Sequence, residues 1–222
     1  MKYLLLFLLP LFSTAQKIDT MPKKFTYLAL GDSYTIGESI PLQKSFPYQT
    51  VQLLRKKGFH FSAPEIIAKT GFTTDELEVA IASQQLLPKY DFVSLLIGVN
   101  NQFRGRDEVL YKMEFEELLK KAIAFCNDKP SHVIVLSIPD YSVTPFAANL
   151  NKEKIAKEVE VFNNINNSLS IQYKVHYANI SSGKKNTEPE DNLIASDGLH
   201  PSGIAYKTWA VAVAEIIGRH IK

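Results

Sequence analysis

Ala29-Leu30-Gly31-Asp32-Ser33-Tyr34 is the stretch on which the reading of the whole chain turns. An apolar run from Phe25 to Leu30 ends there in a glycine, an acid and a hydroxyl. A short apolar run closed by glycine reads as a buried strand that delivers a loop, and in a parallel sheet the loops at strand C-termini are where ligands bind. Ser33 is therefore a candidate nucleophile by position. A Gly-Asp-Ser triplet after a strand is equally the sequence of an ordinary turn, so a base and an oxyanion site must be found elsewhere in the chain.

Outward from this stretch, strands and helices alternate. Phe46 to Lys57 carries Tyr48, Val51, Leu53 and Leu54 at helical spacing, ends in three basic residues that suit the negative end of the helix dipole, and stops at Gly58. Pro64 to Ala68 reads as a second strand. After Lys69-Thr70-Gly71-Phe72, Thr73 opens a helix, with Glu76 three residues on in capping-box position. Phe92 to Ile97 is apolar enough to be buried on both faces, and ends in Gly98-Val99-Asn100-Asn101. Asp107 to Cys126 reads as an amphipathic helix with Leu110, Met113, Leu118, Ala122 and Phe125 inward. Val133 to Ile138 is a fourth strand, Lys152 to Leu169 a helix, Tyr173 to Ile180 a fifth strand, and Gly203 to His220 a terminal helix with Trp209, Val213 and Ile216 facing in. The alternation predicts a flavodoxin-like three-layer α/β/α sandwich with a five-stranded parallel sheet in the order 2-1-3-4-5.

This layout brings Ser33, Gly71 and Asn100, which follow strands one, two and three, to one edge of the sheet. The base is supplied by Asp197-Gly198-Leu199-His200-Pro201, which a long polar loop (181–197) can return to that edge. Pro201 disfavours helical backbone at His200, so the histidine is expected in an extended segment just before the last helix. Asp197 is close enough to accept from Nδ1 and leave Nε2 as the base.

Gly31-Asp32-Ser33, Gly71, Gly98-Val99-Asn100 and Asp197-Gly198-Leu199-His200-Pro201 together resemble, in order, the four blocks of the SGNH hydrolase superfamily, the GDSL-type esterases and lipases. The resemblance spans most of the chain, and implies metal-independent ester hydrolysis on a flavodoxin-like fold. It implies Ser33 as nucleophile, His200 as base and then acid, and Asp197 as its orienter. The N–H groups of Ser33 and Gly71 and the side-chain amide of Asn100 would form the oxyanion hole, where neutral donors must already be aimed at the developing charge. Asp32 is expected to brace the serine loop by accepting backbone hydrogen bonds. Two positions depart from the family pattern: Tyr34 stands where the name-giving leucine would be, and Asn101 where an aspartate often follows the asparagine. They bear on substrate preference and loop rigidity more than on the reaction.

The N-terminus narrows the setting. Lys2, an apolar core from Tyr3 to Phe12 and Ser13-Thr14-Ala15 form a signal-peptide pattern, and the core is too short for an ordinary membrane span. The expected organisation is a signal peptide over 1–15, a short leader over 16–24 and one catalytic domain over 25–222, exported to the periplasm or beyond. The mature form is expected to have no stable membrane span. A net charge of +2, or +1 without Lys2, offers no basic field for nucleic acid. Cys126, the single cysteine, cannot form an intramolecular disulfide and reads as a buried thiol.

His60, His132, His176 and His220 show no metal-ligand spacing and read as surface or edge residues, and no glycine-rich phosphate cradle calls for a cofactor. Phe72, Phe103, Tyr141 and Phe146 fit either an acyl or sugar pocket or satellite core packing. Arg104 and Arg106 fit an anionic substrate group or solvated loop charges. Asn166-Asn167-Ser168 and Asn179-Ile180-Ser181 match the glycosylation sequon. The expected activity is hydrolysis of a small-molecule or glycan ester with a short acyl chain. The competing readings are a lysophospholipase or thioesterase, and a catalytically silent glycan- or lipid-binding protein on the same fold.

Overall fold

The computed structural model describes residues 23–180 and 192–221. The expected signal peptide, most of the leader, most of the loop before Asp197 and the end of the second sequon lie outside the described residues. Five parallel strands, β1 (Tyr27–Asp32), β2 (Glu65–Lys69), β3 (Phe92–Leu96), β4 (Val133–Leu136) and β5 (His176–Ala178), form one sheet in the order β2-β1-β3-β4-β5. In the middle of the sheet Leu30 pairs with Ile67 on one side and Leu95 on the other. The chain leaves β1 in one direction to make β2 and crosses back to make β3, so the strand order reverses at β1. The crevice above that reversal is where such sheets bind ligands.

The central strands β1, β3 and β4 are wholly buried, which is why they read as apolar runs without alternation. Helices α2 (Phe46–Lys56) and α7 (Gly203–Arg219) pack along each other, and α3 (Thr74–Ser83), α5 (Glu108–Phe125) and α6 (Lys152–Tyr173) form a contiguous series, α3 against α5 and α5 against α6. Together with the sheet they make the expected three layers.

Several local expectations are corrected. The serine and asparagine loops are short helices, α1 (Ser33–Ile36) and α4 (Val99–Phe103). Helix α1 starts because the Asp32 carboxylate accepts from the Tyr34 N–H at 3.0 Å, and it ends because Gly37 takes up left-handed backbone. In α5 the inward stripe is Tyr111, Phe115, Leu118, Leu119 and Ala122. Leu110 and Met113 are 43% and 61% exposed, because at 100° per residue Met113 lies across the helix from the Tyr111–Phe115 line. Helix α6 runs on to Tyr173, where Lys174 ends it in left-handed backbone, so β5 is shorter than expected. In α7 the fully buried isoleucine is Ile217, with Ile216 half-buried. Asn166 is fully buried beside the Tyr111 hydroxyl and is no glycan acceptor. Cys126 is buried as expected, and burial pushes its thiol up to about 12.

Candidate active site

Ser33 is the first residue of α1, directly after β1, and only 5% exposed. Gly31 makes this placement possible: a Cβ there would stand 2.1 Å from Thr35 Oγ1 and 2.4 Å from the Leu96 carbonyl oxygen. No side chain fits where β1 meets β3, so the strand can bring the serine close to the other strand ends.

His200 lies at the end of a bend, three residues before α7 begins, and its Nε2 is 2.9 Å from Ser33 Oγ. Its Nδ1 is 2.7 Å from Asp197 Oδ2. A carboxylate only accepts, so Nδ1 carries the proton and Nε2 is left to accept from the serine hydroxyl. Asp197 is itself held from several sides: Oδ1 accepts from the Leu199 and His200 N–H groups at 2.9 and 3.0 Å, and Oδ2 from the Ser39 hydroxyl at 2.6 Å. Partial burial by itself would raise the Asp197 carboxyl, but the Ser39 hydroxyl, these two N–H groups and the imidazole outweigh it and hold the group well below the usual carboxylate range. The Tyr34 ring lies against His200, with centroids 4.8 Å apart, and is backed by Trp209. At the departure from the family's leucine, an aromatic ring therefore supports the imidazole.

Gly71 and Asn100 line the same cleft as Ser33 and His200. Gly71 has φ of +84°, a conformation that favours glycine. Its carbonyl accepts from Arg104 Nη2 at 2.7 Å, while Arg104 Nη1 pairs with Glu76 at 3.1 Å. Glu76 also accepts from the Thr73 N–H at 3.0 Å, the expected cap of α3. Asn100 Nδ2 donates to the Phe72 carbonyl at 3.0 Å and lies 3.5 Å from Asp32 Oδ2. Burial pushes the Asp32 carboxyl up to about 7, against the lowering effect of the Tyr34 N–H.

Three positioning contacts are not legible in the sequence. Asn101 is buried, accepts from the Thr74 N–H at 3.1 Å and donates to the Thr74 hydroxyl at 2.6 Å, tying α4 to the start of α3. Arg104, with its side chain partly exposed, bridges the Gly71 carbonyl and Glu76, and Arg106 makes a 3.6 Å surface pair with Asp75. Ser39 reaches Asp197 across 158 residues of sequence, and no local pattern announces that. A capping motif marks Thr73 and Glu76, whereas these three contacts depend on which strand ends the topology brings together.

Phe103, Tyr141 and Phe146 line the cleft, with ring centroids 6.1 to 6.3 Å apart, and Phe72 packs against the core. The cleft holds about 150 Å³. His132, His176 and His220, expected as surface or edge residues, come together at the opposite edge of the sheet, with His176 Nε2 2.9 Å from His220 Nε2. Among the described residues no group of three or more His, Cys, Asp and Glu side chains is arranged to hold a metal ion, and no helix is long and apolar enough to cross a membrane.

A hydroxyl, an imidazole and a carboxylate in one hydrogen-bonded line, at the C-terminal edge of a doubly wound sheet, define a serine hydrolase. The profile of the GDSL-like Lipase/Acylhydrolase family matches residues 29–208, and the chain belongs to that family of ester hydrolases. Similar solved structures include a lipase/acylhydrolase from Enterococcus faecalis, 20% identical with a TM-score of 0.66 over 90% of this chain and 97% of that one. An acetylxylan esterase from Geobacillus stearothermophilus is 16% identical, with a TM-score of 0.67 over 87% and 94%. A psychrotrophic esterase from Pseudoalteromonas, in a structure inhibited by monoethylphosphonate, is 15% identical with a TM-score of 0.63 over 88% and 97%. At these identities the likeness is one of fold. No curated protein sequence matches.

Proposed function

We propose that the chain is an exported serine esterase that hydrolyses a small ester of short acyl chain, with a carbohydrate acetyl ester as the favoured class. Ser33 Oγ attacks the ester carbonyl carbon while His200 Nε2 takes the hydroxyl proton, and Asp197 steadies the imidazolium. The carbonyl oxygen becomes an oxyanion facing the N–H groups of Ser33 and Gly71 and the Asn100 amide, which turns one hydrogen from Phe72 towards it. Collapse breaks the bond to the alcohol oxygen, which leaves with the proton from His200. Water then gives its proton to His200 and its oxygen to the acyl carbon, releasing the acid and restoring Ser33. At the carboxyl value of about 7, a large share of Asp32 is uncharged near neutrality, which limits its opposition to the negative charge forming beside Asn100.

The observation that carries this reading is the unbroken line from Asp197 through His200 to Ser33, at 2.7 and 2.9 Å. The size of the cleft supports a small acyl group, and an acetylxylan esterase stands among the similar folds. Export rests on the signal-peptide pattern of residues 1–15. A second reading, a lysophospholipase or thioesterase, is favoured by one observation: Phe103 and Phe146 at the cleft are 56% and 45% exposed, an apolar rim that suits a longer chain. Rates with p-nitrophenyl esters of increasing chain length, acetylated xylan, other acetylated sugars, lysophospholipid and acyl thioesters separate the two. The proposal expects kcat/KM to be highest for acetyl esters and to fall beyond about four carbons; a rise towards long chains or lysophospholipid contradicts it.

A further inference from the structure

The turn after α1 makes two contacts across the site from adjacent residues. The Glu38 carboxylate accepts from the hydroxyl of Thr70, which lines the cleft beside Gly71. The Ser39 hydroxyl donates to Asp197 Oδ2 at 2.6 Å, on the same oxygen that receives His200 Nδ1–H at 2.7 Å. One turn thus holds both the loop that carries Gly71 and the carboxylate behind the base. It starts from the serine itself, since the Gly37 and Glu38 N–H groups both donate to the Ser33 carbonyl, at 3.1 and 3.0 Å.

Ser39 makes its contact from an unfavourable backbone. Its φ is +63°, in the left-handed region where a residue with a Cβ is disfavoured, and its side chain is exposed, so core packing gives no reason for it. Glycine would suit such a position better. What a glycine lacks there is the hydroxyl.

We infer that Ser39 is a positioning residue of the proposed relay, its hydroxyl fixing the Asp197 carboxylate in the orientation that the His200 ring requires. The inference rests on the ester-hydrolase mechanism proposed above. With Ser39 in place, Oδ2 is shared between a hydroxyl and an imidazole N–H, and the carboxylate cannot swing away from the ring. Without it, Oδ2 has one donor fewer and more of its charge faces the imidazole. The imidazolium is then favoured over the neutral base, and only the Leu199 and His200 N–H groups on Oδ1 are left to fix how the carboxylate faces the ring. The acid limb of the rate profile moves to higher pH, because the base must be neutral to accept the serine proton. Among the described residues, the Tyr34 and Tyr206 phenols are the titratable groups near Asp197 besides the imidazole, both raised by burial and neutral across the assay range. Glu38 and Asp32 are common to wild type and variant.

The test compares wild type with Ser39→Gly and Ser39→Ala in the full chain, using p-nitrophenyl acetate from pH 5 to 9 alongside thermal melting. Glycine removes the hydroxyl and relieves the backbone, so Ser39→Gly is expected to melt at or above the wild-type temperature. Its kcat is expected to fall roughly tenfold with KM unchanged, a part of the two to four orders that a positioned base contributes, and its acid limb to move up in pH. Ser39→Ala is expected to show the same kinetic losses. A Ser39→Gly protein with wild-type kcat and an unmoved acid limb overturns the inference while leaving the hydrolase reading intact. A wild-type chain that no fluorophosphonate labels overturns that reading and the inference with it.

Discussion

Replacing Asp32 by asparagine should make the protein more stable, and increasingly so as pH rises. Asp32 is 1% exposed, and burial lifts its carboxyl from an ordinary 3.8 to about 7. The folded state therefore prefers this group protonated. Stability from the raised value is fully present below the unfolded value near 3.8 and is lost as pH climbs through about 7. The span is about three powers of ten in proton affinity, a ceiling of about 4 kcal/mol. Between pH 5 and pH 8.5 about 3 kcal/mol of it should be lost. The asparagine side chain would keep the oxygen that caps Tyr34 and titrates nowhere in that range. Urea melts of wild type and Asp32→Asn at pH 5, 6, 7 and 8.5 measure the gap directly, and the histidines cancel because both proteins carry them. The variant's advantage should grow by about 3 kcal/mol from the lowest pH to the highest. A gap that stays level shows that Asp32 is ionised in the folded state at all these pH values, and refutes the reasoning.

Asn100→Ala should lower kcat about 10²- to 10³-fold with little change in KM, the usual cost of one oxyanion donor; steady-state kinetics check this. Tyr111→Phe removes a buried hydroxyl lying 2.7 Å from Asn166 Oδ1 and 3.1 Å from the Ile97 carbonyl. It should cost about 1–3 kcal/mol in a urea melt, because Asn166 is left buried without that partner. Burial lowers His176 and His220 from the ordinary histidine value of 6.5, helped by His220 beside the first and by His132 and Arg219 beside the second, so the stability they contribute is present above that value and lost as pH falls through the lowered ones. A His176→Gln/His220→Gln double variant should therefore show a flatter fall in melting temperature below pH 6.5 than wild type.

Much of this arrangement is legible in the sequence because each strand is short, apolar and closed by a recognisable polar group. Ser33, Gly71 and Asn100 can be placed on one edge without coordinates, since parallel alternation sends every such strand end to the same side, and His200 joins them because the long loop after the fifth strand can return there. The Asp197–His200 pair is legible because three residues at an Asp-Gly turn bring the side chains together. The inward stripe of α5 is not, because Leu110 and Met113 are apolar and match the period only approximately, while Tyr111 and Phe115 carry the core. The short helices α1 and α4 read as loops because four or five residues are too few to show a period. The contacts of Ser39, Asn101 and Arg104, and the meeting of His132, His176 and His220, join segments far apart in sequence, where periodicity and local capping carry no signal.

The central claim is that Ser33 is a nucleophile activated by His200, and covalent labelling tests it most directly. Incubation with a fluorophosphonate, followed by intact mass and peptide mapping, should give one adduct per chain, on the peptide that carries Ser33. The adduct should be absent from Ser33→Ala and should form at least about 10³-fold more slowly in His200→Ala, in line with the cost of removing a triad member. Labelling that persists in Ser33→Ala, or a wild-type protein that takes up no adduct, would contradict the claim.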